Sequence, residues 1–273
     1  MFGEVIMWVK KLLIIWGMVV AVQTVSAQQV VDIPTRPGVI QRFLDEEPKE
    51  GKPIAQVILL PGGSGGIALT NSGGMTRWGT DNFVVRTRGL LHKRGMATVV
   101  LDAPSDRPPP RSLDGFRQTA GHVEDLKTVI ASLRSRHGVP VWVIGFSAGT
   151  LSAAYLATQL SPAEGGPDGV VLTGAIVDNA GLPSLRPVNA MNLQRISVPF
   201  LVAHHEADGC KLCPPDKAAT LADLATSSPR RGTLMFSGGL TRGDPCHEWA
   251  HHGFNGVEEE VIRQIADWIL VGR

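Results

Sequence analysis

The sequence has no surplus of charge of either sign. Its 273 residues hold 26 lysines and arginines against 25 aspartates and glutamates, for a formal net charge of +1. A protein that grips nucleic acid or an anionic membrane by counter-charge needs a basic excess, and none is present. No run of like charge is longer than Glu258-Glu259-Glu260. Internal repeats, low-complexity tracts and dividing linkers are also missing. Cysteine is scarce: Cys210, Cys213 and Cys246 are the whole complement. A structural zinc site shows two tight ligand pairs, and only Cys210-x-x-Cys213 is of that kind. The same Cys-x-x-Cys has no thioredoxin-like surroundings to make it a redox motif.

The first 27 residues differ from the rest. Lys10 and Lys11 precede an apolar run, LLIIWGMVVAV, and Val25-Ser26-Ala27 follows. A positive flank, a short apolar core and small residues before a cut describe a secretory signal peptide removed after Ala27. The run is shorter than the roughly 20 residues a spanning helix needs, so no stable membrane anchor is expected after cleavage. An exported protein, periplasmic or extracellular, allows its cysteines to pair. Residues 28–273 are expected to form one domain, with no cofactor.

After a polar lead over about 28–52, short apolar runs alternate with amphipathic stretches. The runs are 54–60, 97–101, 141–146, 170–174, 198–203 and 233–236. Runs of this length without polar alternation are expected of strands covered on both faces. Helical spacing marks 81–94, 119–136 and 148–160, and a last helix is expected with Asn255 as N-cap and Glu258 completing a capping box. The alternation predicts an α/β fold with a doubly wound, mainly parallel sheet flanked by helices. The irregular stretches 66–80, 102–118 and 175–197 are candidate cleft walls. Arg107, Arg111 and Arg117, in the second of these, read as solvated side chains, with recognition of an acidic substrate as the alternative.

Three motifs carry chemistry. The strand VWVIGF runs straight into Gly145-Phe146-Ser147-Ala148-Gly149 and then a small-residue helix. A G-x-S-x-G at a strand–helix junction puts the serine on a strained turn, exposed at the carboxyl end of the sheet. Pro61-Gly62-Gly63-Ser64-Gly65-Gly66 follows the first apolar run, and its glycines let backbone N–H groups converge on an anion. It lacks both G-x-G-x-x-G and a Walker lysine, so nucleotide binding is not expected. Near the end lies DPCHEWAHHGF, residues 244–254, with three histidines. A serine needs a histidine base, and the base needs an orienting carboxylate.

From about Ile54 to Leu270 these motifs resemble the α/β-hydrolase superfamily, in its compact serine-esterase and dienelactone-hydrolase-like forms with little or no lid. The resemblance implies a chain order of serine, acid, histidine. It implies Ser147 as nucleophile, Asp208 after the run 198–203 as acid, and His252 in His-Gly-Phe as base. Asp178 and Glu206 remain alternatives for the acid, as do His251 and His247 for the base. The oxyanion N–H groups are those of Ala148 and of Gly63 or Ser64. Pro61 departs from the family, many of whose esterases have histidine there. A Cys210–Cys246 disulfide would tie the acid loop to the base loop, with Cys213–Cys246 as the other pairing. The activity implied is hydrolysis of a small-molecule carboxylic ester or related acyl bond. A hydrolase-fold binding protein without turnover and a zinc-dependent hydrolase are the rival readings. Neither substrate identity nor oligomeric state is written in the motifs.

Overall fold

The computed structural model describes residues 28–271. The signal peptide expected over 1–27 lies outside the described residues. Eight strands form one sheet: β1 (Gln29–Arg36), β2 (Val39–Glu46), β3 (Ala55–Leu60), β4 (Met96–Leu101), β5 (Val141–Phe146), β6 (Gly169–Thr173), β7 (Phe200–His205) and β8 (Arg231–Phe236). Their order across the sheet is β1-β2-β4-β3-β5-β6-β7-β8. The pairs β1/β2 and β2/β4 are antiparallel and all the others parallel. The six apolar runs are strands β3 to β8, and every residue of β3, β4, β5, β6 and β7 is buried. This is the both-faces-covered environment that continuous Val, Ile and Leu require.

The helices are α1 (Arg77–Asp81), α2 (Phe83–Arg86), α3 (Arg88–His92), α4 (Ala120–His137), α5 (Gly149–Gln159), α6 (Pro215–Ala219) and α7 (Glu258–Leu270). They cover the two sheet faces, so two apolar cores result. One packs α4 and α5 against β3, β5, β6 and β7 through Leu126, Val129, Ile130, Ala153, Leu156 and Ala157. The other packs α2, α3 and α7 through Phe83, Val84, Leu91, Ile262, Ile265 and Ile269. Helix α5 can lie close to the sheet because its inward residues are small. Among the described residues, no helix is long and apolar enough to cross a membrane.

Three expectations are corrected. The polar lead over 28–52, where the sequence predicts no element, contains the β1–β2 hairpin, half-exposed along β1 and interrupted by a register shift between Pro34 and Arg36. The stretch 81–94 is not one helix but the end of α1 followed by α2 and α3, with Asn82 and Thr87 between them in cap positions. The last helix begins at Glu258, not after an Asn255 cap. The Asn255 side chain instead donates to the Trp249 carbonyl, 2.8 Å away, and so belongs to the loop before the helix. Glu258, Glu259 and Glu260 fill its first turn, where carboxylates favour the positive end of the helix dipole.

Candidate active site

Ser147 sits between β5 and α5 with φ of +51°, in the left-handed region that a serine rarely adopts. The strain is imposed by close packing. A Cβ at Gly145 would lie 2.5 Å from the Gly149 carbonyl oxygen, and one at Gly149 would lie 2.1 Å from that of Leu60. Only glycine fits on both sides of the serine, which explains the motif in this chain. The Ser147 N–H donates to the Thr173 carbonyl at 3.0 Å, fastening the elbow to the end of β6.

The glycine loop after β3 passes over the serine. A Cβ on Gly62 would fall 2.9 Å from the Ser147 Cβ, and one on Gly63 would fall 2.7 Å from the Trp78 ring. Gly63 itself has φ of +49°. No acceptor for the N–H groups of Gly63, Ser64 or Ala148 occurs among the described residues. The donors expected at an oxyanion site are therefore unspent.

The residues expected as acid and base meet. Asp208 follows β7, His252 follows β8, and both side chains are fully buried. His252 Nδ1 lies 2.8 Å from Asp208 Oδ2. A carboxylate only accepts, so Nδ1 carries the proton and Nε2 holds a lone pair. Nε2 is buried and has no hydrogen-bond partner among the described residues, including Ser147. Serine–histidine links are often long until substrate is bound. The His252 ring packs on Phe146, the residue before the serine, with centroids 5.0 Å apart.

Asp208 has a second imidazole that the motifs did not announce. His204 Nε2 lies 2.9 Å from the Cys213 carbonyl and 3.3 Å from Asp208 Oδ2. Both are acceptors, so this nitrogen also carries its proton. The remaining Asp208 oxygen accepts from the Cys210 N–H at 2.9 Å. Burial pushes the Asp208 carboxyl up, but the His204 and His252 hydrogen bonds outweigh it and hold the group down at about 2.

The alternatives are placed elsewhere. Asp178 pairs with Lys217 and Glu206 is exposed. His251 stacks on His205 with centroids 4.4 Å apart, and His247 is exposed. Cys210 and Cys246 are disulfide-bonded, joining the acid and base loops, and Cys213 is a buried free thiol. The ligand atoms of Cys210, Cys213 and His252 lie within 4.8 Å of one another. They do not fit a metal: the Cys210 sulfur is bonded to Cys246, which leaves only two of the three. Burial, followed by the Asp208 charge, also pushes the Cys213 thiol up and keeps it protonated.

One arginine contradicts its expected role. Arg107 stacks over Phe116 at 4.1 Å and Arg111 is exposed, but Arg117 is buried against the glycine loop. A half-buried arginine, Arg86, holds the His252 loop by donating to the Glu248 and Gly253 carbonyls and pairing with Glu258. Nothing in the local sequence distinguishes either from a surface arginine.

A mainly parallel sheet in the order β1-β2-β4-β3-β5-β6-β7-β8 flanked by helices, with a strained serine turn, a glycine loop and a buried Asp–His pair at the carboxyl ends of β3, β5, β7 and β8, is the α/β-hydrolase fold. No family model and no curated protein matches the sequence. Solved structures do. An α/β serine hydrolase without a lid from Xanthomonas campestris is 15% identical, with TM-score 0.55, over 89% of this chain and 95% of that one. An esterase from Pyrococcus furiosus is 17% identical, with TM-score 0.62, over 89% and 92%. An α/β serine hydrolase homologue from Coxiella burnetii is 17% identical, with TM-score 0.58, over 89% and 97%.

Proposed function

We propose that the protein is an exported serine hydrolase that cleaves a small-molecule carboxylic ester, or a related acyl bond, through an acyl-enzyme on Ser147. The observation that carries this reading is the buried His252–Asp208 hydrogen bond of 2.8 Å, which leaves the histidine Nε2 unpaired behind a strained serine. His252 takes the Ser147 proton at Nε2 as Oγ attacks the substrate carbonyl. Asp208 fixes the ring and stabilises the imidazolium. The tetrahedral oxyanion is held by the N–H of Ala148 and that of Gly63 or Ser64, with the N-terminus of α5 adding a favourable dipole. His252 then protonates the departing alcohol, and a water activated by the same nitrogen releases the acid.

The serine hydrolases and esterases among the similar structures support a hydrolase. The Cys210–Cys246 disulfide is compatible with export. A fluorophosphonate probe tests the reading. It is expected to label the folded wild type on Ser147 and not the Ser147→Ala variant. A folded wild type that takes no label and hydrolyses no ester in a panel of acyl chain lengths would falsify it.

A further inference from the structure

Arg117 is a cation buried without a counter-ion. Its relative exposure is 5%, and among the described residues no carboxylate pairs with it. Burial pulls its pKa down to about 10, with Asp114 acting only through space, so it stays charged at neutral pH. An uncompensated buried charge is costly, and the hydrogen bonds that compensate this one all come from oxygen dipoles. Nη2 donates to three consecutive carbonyls, those of Pro61 at 3.1 Å, Gly62 at 3.3 Å and Gly63 at 3.0 Å. Nη1 donates to Ser152 Oγ at 3.1 Å.

The identity of those carbonyls matters. In a planar trans peptide the C=O of one residue and the N–H of the next point in opposite directions. Drawing the Gly62 and Gly63 carbonyls to one side turns the Gly63 and Ser64 N–H groups to the other. Those are the two candidate oxyanion donors. The next carbonyl, that of Ser64, is taken by the Leu113 N–H at 2.8 Å, from the same segment as Arg117. The loop is shaped around the guanidinium: a Cβ at Gly65 would lie 2.6 Å from Nη2, and Gly65 has φ of +81°. A carbonyl bound to a cation also polarises its peptide, making the opposite N–H a better donor.

The same side chain reaches the helix that follows the other donor. Ser152 is on α5, one turn after Ala148. Its hydroxyl accepts from Arg117 and so has its proton free for His122 Nε2, 2.9 Å away. Burial, reinforced by the Arg117 charge, pushes His122 down to about 3 and keeps it a neutral acceptor.

We propose that Arg117 is the positioning residue of the oxyanion site, orienting the Gly63 and Ser64 donors and locking them in register with Ala148 through Ser152. The proposal rests on the serine-hydrolase reading. It is tested with the full chain and its Arg117→Met, Arg117→Lys and Ser152→Ala variants, using p-nitrophenyl acetate as substrate. A trifluoromethyl ketone, which binds as a tetrahedral oxyanion, serves as inhibitor. Arg117→Met is expected to lower kcat by on the order of 10- to 100-fold, less than the ~10²–10³ for deleting a donor outright. KM should hold within about twofold, and the ketone affinity should fall by the same factor as kcat/KM. Arg117→Lys should restore part of both, and Ser152→Ala should lose less of each than Arg117→Met while remaining folded. Ketone affinity unchanged while thermal stability falls overturns the proposal, as does a rise in KM at constant kcat. If Arg117→Met does not fold, Ser152→Ala decides: wild-type kcat and ketone affinity there overturn it. A wild type that is unlabelled by fluorophosphonate and inactive ends the hydrolase reading and this inference together. A labelled wild type matched by all three variants ends this inference alone.

Discussion

At Asp208 one carboxylate serves two imidazoles, and the consequence is a group held ionised far below neutrality. Its folded pKa is depressed, so its contribution to stability is present above the unfolded value and is lost as pH falls through about 2. Chemical denaturation between pH 4 and 2 should show the wild type losing about 2 kcal/mol more than Asp208→Asn. Equal losses would mean the carboxylate is not held by the histidines. The same substitution should lower kcat about 10³- to 10⁴-fold, because an amide can donate to His252 and reverse its tautomer. The two neighbouring histidines should separate sharply. His252→Ala should cost at least about 10³-fold in kcat/KM, and His251→Ala less than about tenfold, since His251 stacks on His205 and does not reach Asp208. Similar losses in both would return the base to an open choice.

At the scale of elements, the His252 loop is strapped twice, once to the Asp208 loop and once to α2. The Cys210–Cys246 bond closes a separation of 36 residues, and Arg86 holds the base loop to α2. Replacing both cysteines by serine should lower stability by about 2–4 kcal/mol, read from urea midpoints at constant slope. Helix α7 is held by its apolar stripe, so Ile265→Ala should cost about 2–5 kcal/mol. What the sequence made legible follows from the same physics. Strands buried on both faces, and an elbow that tolerates only glycine, leave continuous apolar runs and a fixed motif. The β1 strand left no such run, because it is half-exposed and broken at Pro34. His204 and Arg117 left no signal either. A histidine at a strand end and an arginine in a loop look the same whether solvated or buried; only tertiary packing gives each its acceptors.

At the scale of the whole molecule, residues 28–273 are proposed to form one folding unit. Without the first 27 residues, the chain should melt in one calorimetric transition with every probe coinciding, whereas two separable transitions would divide it. The parallel order β3-β5-β6-β7-β8 brings the glycine loop, Ser147, Asp208 and His252 to one end of the sheet from widely separated parts of the chain. Because a Cβ at Gly149 would strike Leu60, the elbow helix lies closer to the strand feeding the glycine loop than any residue larger than glycine at 149 would allow. That has a meaning for laboratory evolution. Libraries saturating 62–65 and 145–149 should be nearly empty of survivors, while those confined to the exposed positions of 66–80, 102–118 and 175–197 should be rich in them. Selectivity is then to be sought at those exposed positions, which leaves the glycine-fixed turns untouched.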